Sequence, residues 1–321
     1  MDINELLEPF VRMLDAAATP AAVRSIEHGG SAVALWDEIA VSGFLDVLVA
    51  EEHGGAGLSL ADIEPLIEAI GARAVPLPVA ETMVARALLA SEGVAAPEGP
   101  IALVTSLAQT VPCGLVAQAA LVDYDDALVL CDIAQLSPAP TGVTNSLTAR
   151  ISGKPQGQIL PRPAAGLRAI AAVLRAALIA GAAARLCAVT TAYASERVQF
   201  GKPIGRQQSL QQMLAVMAED MIACRIAAQL GASHGIEVPL VAAATSKVTT
   251  SVAAPRIAST AHAVHGAIGI SEEYDLQLLT RRLHEWRMDD GSEGYWSKVL
   301  GQQRLAASVT SVDWIRQAVL S

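Results

Sequence analysis

The segment ERVQFGKPI at residues 196–204 decides the fold of this chain. It follows a long stretch, residues 167–194, in which apolar residues recur every three or four positions and predict a helix. Gly201 and Pro203 predict a sharp turn into the next helix. Arg197 lies at the helix end, where its permanently charged, planar guanidinium suits a pyrophosphate. A helix-ending turn that leaves this arginine in solvent is the alternative interpretation.

A second glycine-containing segment, HGAIGISEEY at residues 265–274, follows another predicted helix at about 240–266. Glycines allow a backbone to approach a ligand or a neighbouring helix closely. Between the two segments, a further predicted helix carries one apolar stripe, which we assign to the core: Leu210, Met213, Leu214, Met217, Met221 and Cys224.

Outward from these segments, the chain divides into three regions. Residues 1–97 have helical patterns, including a helix that begins at Ser59 and carries Asp62 three positions later, as in a capping box. Residues 98–160 contain short runs with β-branched residues and turn signals, typical of a small β domain. Residues 161–321 are predicted to be helical again. We therefore predict a mainly α chain with a small β domain in the middle.

The composition limits the possible functions. Hydrophobic residues make up 52% of the chain and charged residues 17%, which excludes extensive disorder. The net charge of −10 argues against nucleic-acid binding and against binding to anionic membranes, although a local basic site for an anionic cofactor remains possible. No apolar run is expected to span a bilayer. The four cysteines are scattered, as in a reduced cytoplasmic protein, and His262 and His265 lack nearby residues that could complete a metal site.

Together, the region order and the motifs resemble the acyl-CoA dehydrogenase family over nearly the whole chain. Residues 36–58 are similar to the family's W-x-x-L-A…G…P-E-x-x-G-G-x-G stretch, with Ala50 in place of the usual proline. Residues 196–208 are similar to R-x-Q-F-G-x-P-I…Q, and residues 265–274 to Q-x-x-G-G-x-G-x-x-x-E-Y, with Ala263 in place of the glutamine. The resemblance implies a helical N-terminal domain (1–97), a truncated middle β domain (98–160) and a C-terminal four-helix bundle (161–321).

The resemblance also implies FAD as cofactor, because the arginine and glycine segments of relatives contact the FAD of a neighbouring subunit. The positions that would contact it here are Arg197, Gln199, Phe200, Gln208, His265, Gly266, Ala267 and Ser292.

The family's reaction removes an α-proton from an acyl-CoA thioester while FAD accepts a hydride from the β-carbon, so it requires a carboxylate as base. The resemblance assigns this role to Asp290, with Glu293 as a weaker candidate. Many relatives have glutamate at this position, and an aspartate withdraws the carboxylate by roughly 1.5 Å, a displacement that can cost about 100-fold in rate. The first bundle helix, which supplies the base in other relatives, contains Arg168, Arg175 and Arg185 but no acid before Glu196.

The β region lacks the family's T-E-P-x-A-G-S-D and W-I-T-N segments, which contact the flavin ring. Because it lacks these segments, the chain resembles the short subunits of heteromeric acyl-CoA dehydrogenases that act in bacterial steroid and related degradation. It implies an α2β2 assembly with a second dehydrogenase subunit, or a homo-oligomer, with electron-transfer flavoprotein as acceptor. Three functions stay open: a dehydrogenase subunit with a shared active site, a catalytically silent subunit that completes a neighbour's FAD site, and nitroalkane oxidase-like flavin chemistry.

Overall fold

The N-terminal region is helical in the computed structural model, which describes residues 3–319. Its helices are α1 Ile3–Ala17, α2 Pro20–Glu27, α3 Val33–Val41, α4 Leu60–Ala72 and α5 Val79–Ser91. Helix α4 begins as predicted: the Asp62 N–H donates to Ser59 Oγ at 3.2 Å, and the Ser59 N–H donates to the Asp62 carboxylate at 2.8 Å.

The middle region is a small β structure. Its strands are β1 Ile101–Val104, β2 Ala119–Tyr124, β3 Ala127–Asp132, β4 Ala139–Pro140, β5 Ala149–Arg150 and β6 Gln158–Pro161. The main sheet has the order β1-β2-β3-β6, with β1 and β2 parallel and the other pairs antiparallel. The two-residue turn Asp125-Asp126 connects β2 to β3, because Tyr124 pairs with Ala127.

The C-terminal region is a helical bundle. Its helices are α6 Leu167–Glu196, α7 Gln208–Ala232, α8 Leu240–His265, α9 Leu276–Met288, α10 Glu293–Ala306 and α11 Ser311–Ala318. A small hairpin of β7 Val198–Gln199 and β8 Lys202–Pro203 follows α6. The prediction of a mainly α chain with a small β region is therefore confirmed.

Helix α6 is the centre of the protein, and it packs against α4, α7, α8 and α9. Its length and composition would suit a membrane span, which the sequence analysis did not expect of any apolar run, but 89% of its most apolar stretch is buried inside the protein. Glycines bring α4 and α6 close together: a Cβ at Gly71 would lie 2.1 Å from the Leu178 carbonyl oxygen, and one at Gly181 would lie 1.9 Å from that of Glu68. The apolar residues of α6 therefore serve the core.

The stripe assigned to the core on α7 is only partly buried. Met217 and Cys224 are buried, whereas the other four residues of the stripe are half-buried. Val216, Ile222 and Ile226 on the same helix are exposed. The reason is that α6 and α8 cover only one side of α7, which leaves its outer surface open.

Candidate cofactor-binding site

The Arg197 segment forms a hairpin that projects from the end of α6. The Arg197 N–H donates to the Tyr193 carbonyl at 2.9 Å, and its own carbonyl accepts from the Ile204 N–H at 2.8 Å. These bonds close the helix and return the chain beside it. The side chains of Arg197 and Gln199 are exposed, so both can reach a ligand.

Phe200 is at the tip of this hairpin and is 93% exposed. Phe200 and Gly201 both have positive φ, 52° and 77°, as a two-residue hairpin turn of type I′ requires. A bulky side chain in the left-handed region costs on the order of 1–3 kcal/mol. A strained and exposed aromatic residue at this position is available for contact with a partner or a ligand.

The glycine segment begins at the end of α8. Gly266 has φ 63° and ψ −140°, a conformation that is restricted to glycine, and its N–H donates to the His262 carbonyl. Gly269 packs so closely that a Cβ there would lie 3.0 Å from both His265 and Leu276. The turn therefore leaves the backbone of Gly266 and Ala267 exposed while Gly269 anchors it.

The two segments meet in one open pocket of about 520 Å³. Of the predicted cofactor residues, Arg197, Gln199, His265, Gly266 and Ala267 line it. Phe200, Gln208 and Ser292 are not in its lining; Gln208 begins α7 beside two lining residues, and Ser292 caps α10 by accepting a hydrogen bond from the Tyr295 N–H.

Sequence interpretation missed three polar residues that also line this pocket: Tyr193, Gln207 and Ser209. Helical spacing could have identified Tyr193, because it precedes Arg197 by four positions and therefore lies on the same face of α6. Gln207 and Ser209 flank the predicted Gln208 at the start of α7, where a shift of one residue decides which side chain faces the pocket.

His265 gives the pocket a neutral hydrogen-bond acceptor in addition to the cation of Arg197. Its ring stacks on Tyr193 with centroids 4.3 Å apart, and its Nδ1 lies 2.8 Å from the Ala261 carbonyl oxygen. Burial lowers the pKa of His265, which favours the neutral ring. Because a carbonyl only accepts hydrogen bonds, Nδ1 carries the proton and Nε2 is an acceptor. That Nε2 is buried and has no partner among the described residues.

These residues fit part of a flavin dinucleotide. Arg197 offers a cation for a diphosphate, and the unpartnered His265 Nε2 offers an acceptor for a hydroxyl or amino group. A molecule with both an anionic linker and hydroxylated or amino groups matches this pair. Among the described residues, no cluster of His, Cys, Asp or Glu could hold a metal ion.

The two candidate bases are each held in an ion pair outside this pocket. The Asp290 carboxylate accepts from Arg175 Nε at 2.9 Å and from the Thr105 hydroxyl at 3.2 Å, and Asp290 is 6% exposed. Glu293 pairs with Arg287; burial opposes its ionisation, but the hydrogen bond from Arg287 prevails and lowers the pKa of Glu293.

Further charged residues surround Asp290. Buried Lys247 donates to the last carbonyls of α9, those of Trp286 and Arg287, at 2.8 and 2.9 Å. Burial lowers the pKa of Lys247 to about 7 and raises that of Asp289 to about 7. Lys247 therefore stabilises the end of α9, just before Asp290, in the manner of a helix C-cap.

Comparison with known proteins places these features in a family. Residues 169–303 match the family model described as acyl-CoA dehydrogenase, C-terminal domain. Acyl-CoA dehydrogenase IpdE2 of Mycolicibacterium smegmatis is 32% identical over 293 residues, which cover 88% of this chain and 92% of that protein.

Two solved structures have a similar fold. The ChsE4–ChsE5 complex from Mycobacterium tuberculosis gives a TM-score of 0.79 at 19% identity and covers 96% of this chain and 98% of the matched chain. A variant of the Tcur3481–Tcur3483 steroid ACAD gives a TM-score of 0.80 at 23% identity, with 95% and 99% covered.

Proposed function

The chain belongs to the acyl-CoA dehydrogenase family, and from that membership we propose that it is a subunit that completes the FAD site of a neighbouring dehydrogenase subunit. The observation that carries this proposal is the meeting of the Arg197 and Gly266 segments in one open pocket. The pocket is at the protein surface, where a second chain can reach it. Its two segments come from the ends of α6 and α8, so rigid helices fix their relative position.

The residues of the pocket have separate roles in this proposal. Arg197 would pair with the diphosphate of FAD, and the exposed backbone at Gly266 and Ala267 would lie against the dinucleotide. His265 would accept a hydrogen bond from a hydroxyl or amino group of the cofactor. When bound, FAD would supply the hydride acceptor for α,β-dehydrogenation of an acyl-CoA thioester.

A partner subunit is part of the proposal because the β region is small. Its main sheet has four short strands, and residues 98–160 contain neither of the sequence segments that contact the flavin ring in relatives. Two solved structures with this fold, ChsE4–ChsE5 and Tcur3481–Tcur3483, each carry the names of two different chains. They support a heteromeric arrangement. We propose an α2β2 assembly, with the limits 1–97, 98–160 and 161–321 for its domains in this chain.

We also propose that the neighbouring subunit supplies the catalytic base. Asp290, the candidate in this chain, has one carboxylate oxygen on Arg175 and the other on Thr105. A general base must reach the proton that it removes, and Asp290 would first have to break a buried ion pair. This arrangement favours the catalytically silent subunit over the other two functions. A cytoplasmic location and electron-transfer flavoprotein as acceptor complete the proposal.

The test is co-purification of the tagged chain from its native host. We expect a second acyl-CoA dehydrogenase subunit to co-purify with the chain. The complex should contain one molecule of FAD for every two chains. The same chain expressed alone should be nearly colourless, since it would lack half of the flavin site. Absorbance near 450 nm together with mass spectrometry measures both quantities.

Two results would contradict the proposal. The first is a homodimer of this chain that binds FAD stoichiometrically without a partner. The second is a partner complex that is formed but contains no flavin at any FAD concentration tested.

A further inference from the structure

The deepest charged group on α6 is Arg175. Between residues 169 and 183 every residue of the helix is buried, and Arg175 is the only charged one among them. It is 2% exposed. Burying an unpaired guanidinium costs several kcal/mol even after relaxation, so this position is tolerated only with partners.

Arg175 has two carboxylate partners, which define the Glu81–Arg175–Asp290 ion chain. One guanidinium NH2 group lies 2.5 Å from the Glu81 carboxylate, and Nε lies 2.9 Å from that of Asp290. The side chains of all three residues are at most 4% exposed. Burial opposes the charge on Arg175, but the two carboxylates prevail and raise its pKa. The cluster is thus a buried network of ion pairs from which water is nearly excluded.

The ion chain joins all three regions of the fold. Glu81 belongs to α5 of the N-terminal region, and Arg175 to α6 of the bundle. Asp290 also accepts a hydrogen bond from Thr105, the residue after β1 in the β region. The network therefore fills the junction where the helical region, the sheet and the bundle meet.

The backbone of Asp290 is held as firmly as its side chain. Its carbonyl accepts a hydrogen bond from Trp296 Nε1 at 3.1 Å, and its φ of 56° is in the left-handed region. A non-glycine residue keeps this conformation only where its surroundings enforce it. Gly291 follows it with φ 108°, and a Cβ there would lie 2.7 Å from Trp296. The turn aims the carboxylate at Arg175.

We propose that the Glu81–Arg175–Asp290 ion chain is a latch that closes the three-region junction of this subunit and keeps Asp290 away from any acyl-CoA. The inference rests on the proposed function, because it explains how this subunit can share a flavin site without a second reaction at its own Asp290. The latch is intramolecular, so it exists whether or not a partner is bound.

Carboxylate footprinting tests whether the junction is closed. The probe is a water-soluble carbodiimide with glycine ethyl ester, applied to the purified complex and read by peptide mass spectrometry. We expect Asp290 and Glu81 to be labelled at least ten-fold more slowly than Glu52, whose side chain is 81% exposed. In Arg175→Met, labelling of Asp290 should rise several-fold, while that of Glu52 should not change. Labelling of Asp290 in the unmodified complex at the rate of Glu52 would overturn the proposal.

A double-mutant cycle tests the ion chain itself and guards against a variant that folds poorly. Arg175→Met leaves two buried carboxylates unpaired and should lower the thermal midpoint by about 5–15 °C. Asp290→Asn in the same chain removes one of those charges and should restore at least a third of the loss. Arg12→Met is the control, because its pair with Glu8 is largely exposed and its loss should shift the midpoint by no more than about 3 °C. Additive losses in the cycle would contradict a latch.

The outcomes separate this inference from the proposed function. A complex without FAD in which Asp290 is still unreactive would refute the proposed function and leave the latch standing. A complex with FAD in which Asp290 is freely labelled would refute the latch and leave the proposed function standing.

Discussion

Arg197 and His265 line the same pocket, although one ends α6 and the other ends α8. Tyr193 connects them: it precedes Arg197 by one helical turn, and its ring stacks on His265. A cation for an anionic group and a neutral acceptor for a hydroxyl or amino group are thus fixed in one site.

Arg197→Ala should weaken FAD binding to the assembled complex by about 10- to 100-fold, because one charge-assisted contact to the diphosphate is lost. The fold of the chain should be unaffected, since the Arg197 side chain is exposed. Flavin release on dilution, followed by fluorescence, gives the dissociation constant. Arg12→Ala is the control, because Arg12 is an exposed arginine of α1 that pairs with Glu8 on the same helix. Equal affinity in the two variants would exclude Arg197 from the cofactor site.

Phe200→Ser should weaken association with the partner subunit by at least about 10-fold, because a buried aromatic anchor at an interface contributes about 2 kcal/mol or more. The thermal midpoint of the isolated chain should not fall, since Phe200 is exposed there. Val41→Ser, at an 82% exposed position of α3, is the control and should leave association unchanged. Analytical ultracentrifugation of each variant with the partner measures the effect. Unchanged association of the Phe200 variant would remove the hairpin tip from the interface.

Glu64→Gln should make the stability of the chain less dependent on pH. Burial, with a further contribution from Glu68, raises the pKa of Glu64 to about 8. The fold therefore favours the protonated Glu64. Its contribution to stability is fully present below the unfolded pKa of about 4.5, and it is lost as the pH rises towards 8. The glutamine imitates the protonated acid, so by pH 8 the variant should be more stable than the parent by roughly 1–3 kcal/mol.

Urea unfolding at pH 5 and pH 8 measures this difference. Glu8→Gln, which changes a largely exposed carboxylate on α1, should show the same pH dependence as the parent. A Glu64 variant that loses stability at pH 8 would show that the ionised carboxylate is favourable in the fold.

Gly181→Ala should destabilise the chain by about 1–3 kcal/mol, because the added Cβ would lie 1.9 Å from the Glu68 carbonyl oxygen and force α4 and α6 apart. Gly301→Ala is the control on α10, where no atom of the described residues, apart from the adjacent backbone of the same helix, lies within 4 Å of the added Cβ. That change should be neutral or stabilise by up to about 1 kcal/mol through helix propensity. Chemical unfolding of both variants gives the free energies. Equal effects would mean that the two helices can separate without cost.

Local features of the fold were predictable because their causes are close in sequence. The capping box of Ser59 and Asp62 spans three positions, and the apolar repeat of α6 is read along one helix. The outer surface of α7 was not predictable in this way. The periodicity of its stripe showed an amphipathic helix, but how far α6 and α8 cover that stripe depends on how the helices are placed.

The site was predictable only in part, for the same reason. The motifs identified Arg197 and the Gly266 turn, and the structure brings both to one pocket. Tyr193, Gln207 and Ser209 join them there without a motif of their own. The motif located Asp290 and Glu293 but not their ion-pair partners, and those partners are the reason that we propose a base from the neighbouring subunit instead.

The sequence by itself determined the order of the regions, the helix that begins at Leu167 and the two segments that line the pocket, because periodicity, caps and turns act over a few positions. Only the tertiary structure decided what Asp290 contacts. Arg175 is 115 positions away, and it reaches Asp290 because α6 runs through the centre of the bundle beside the turn between α9 and α10. A buried charge takes whichever partner the fold brings within hydrogen-bond distance. No local pattern encodes that choice.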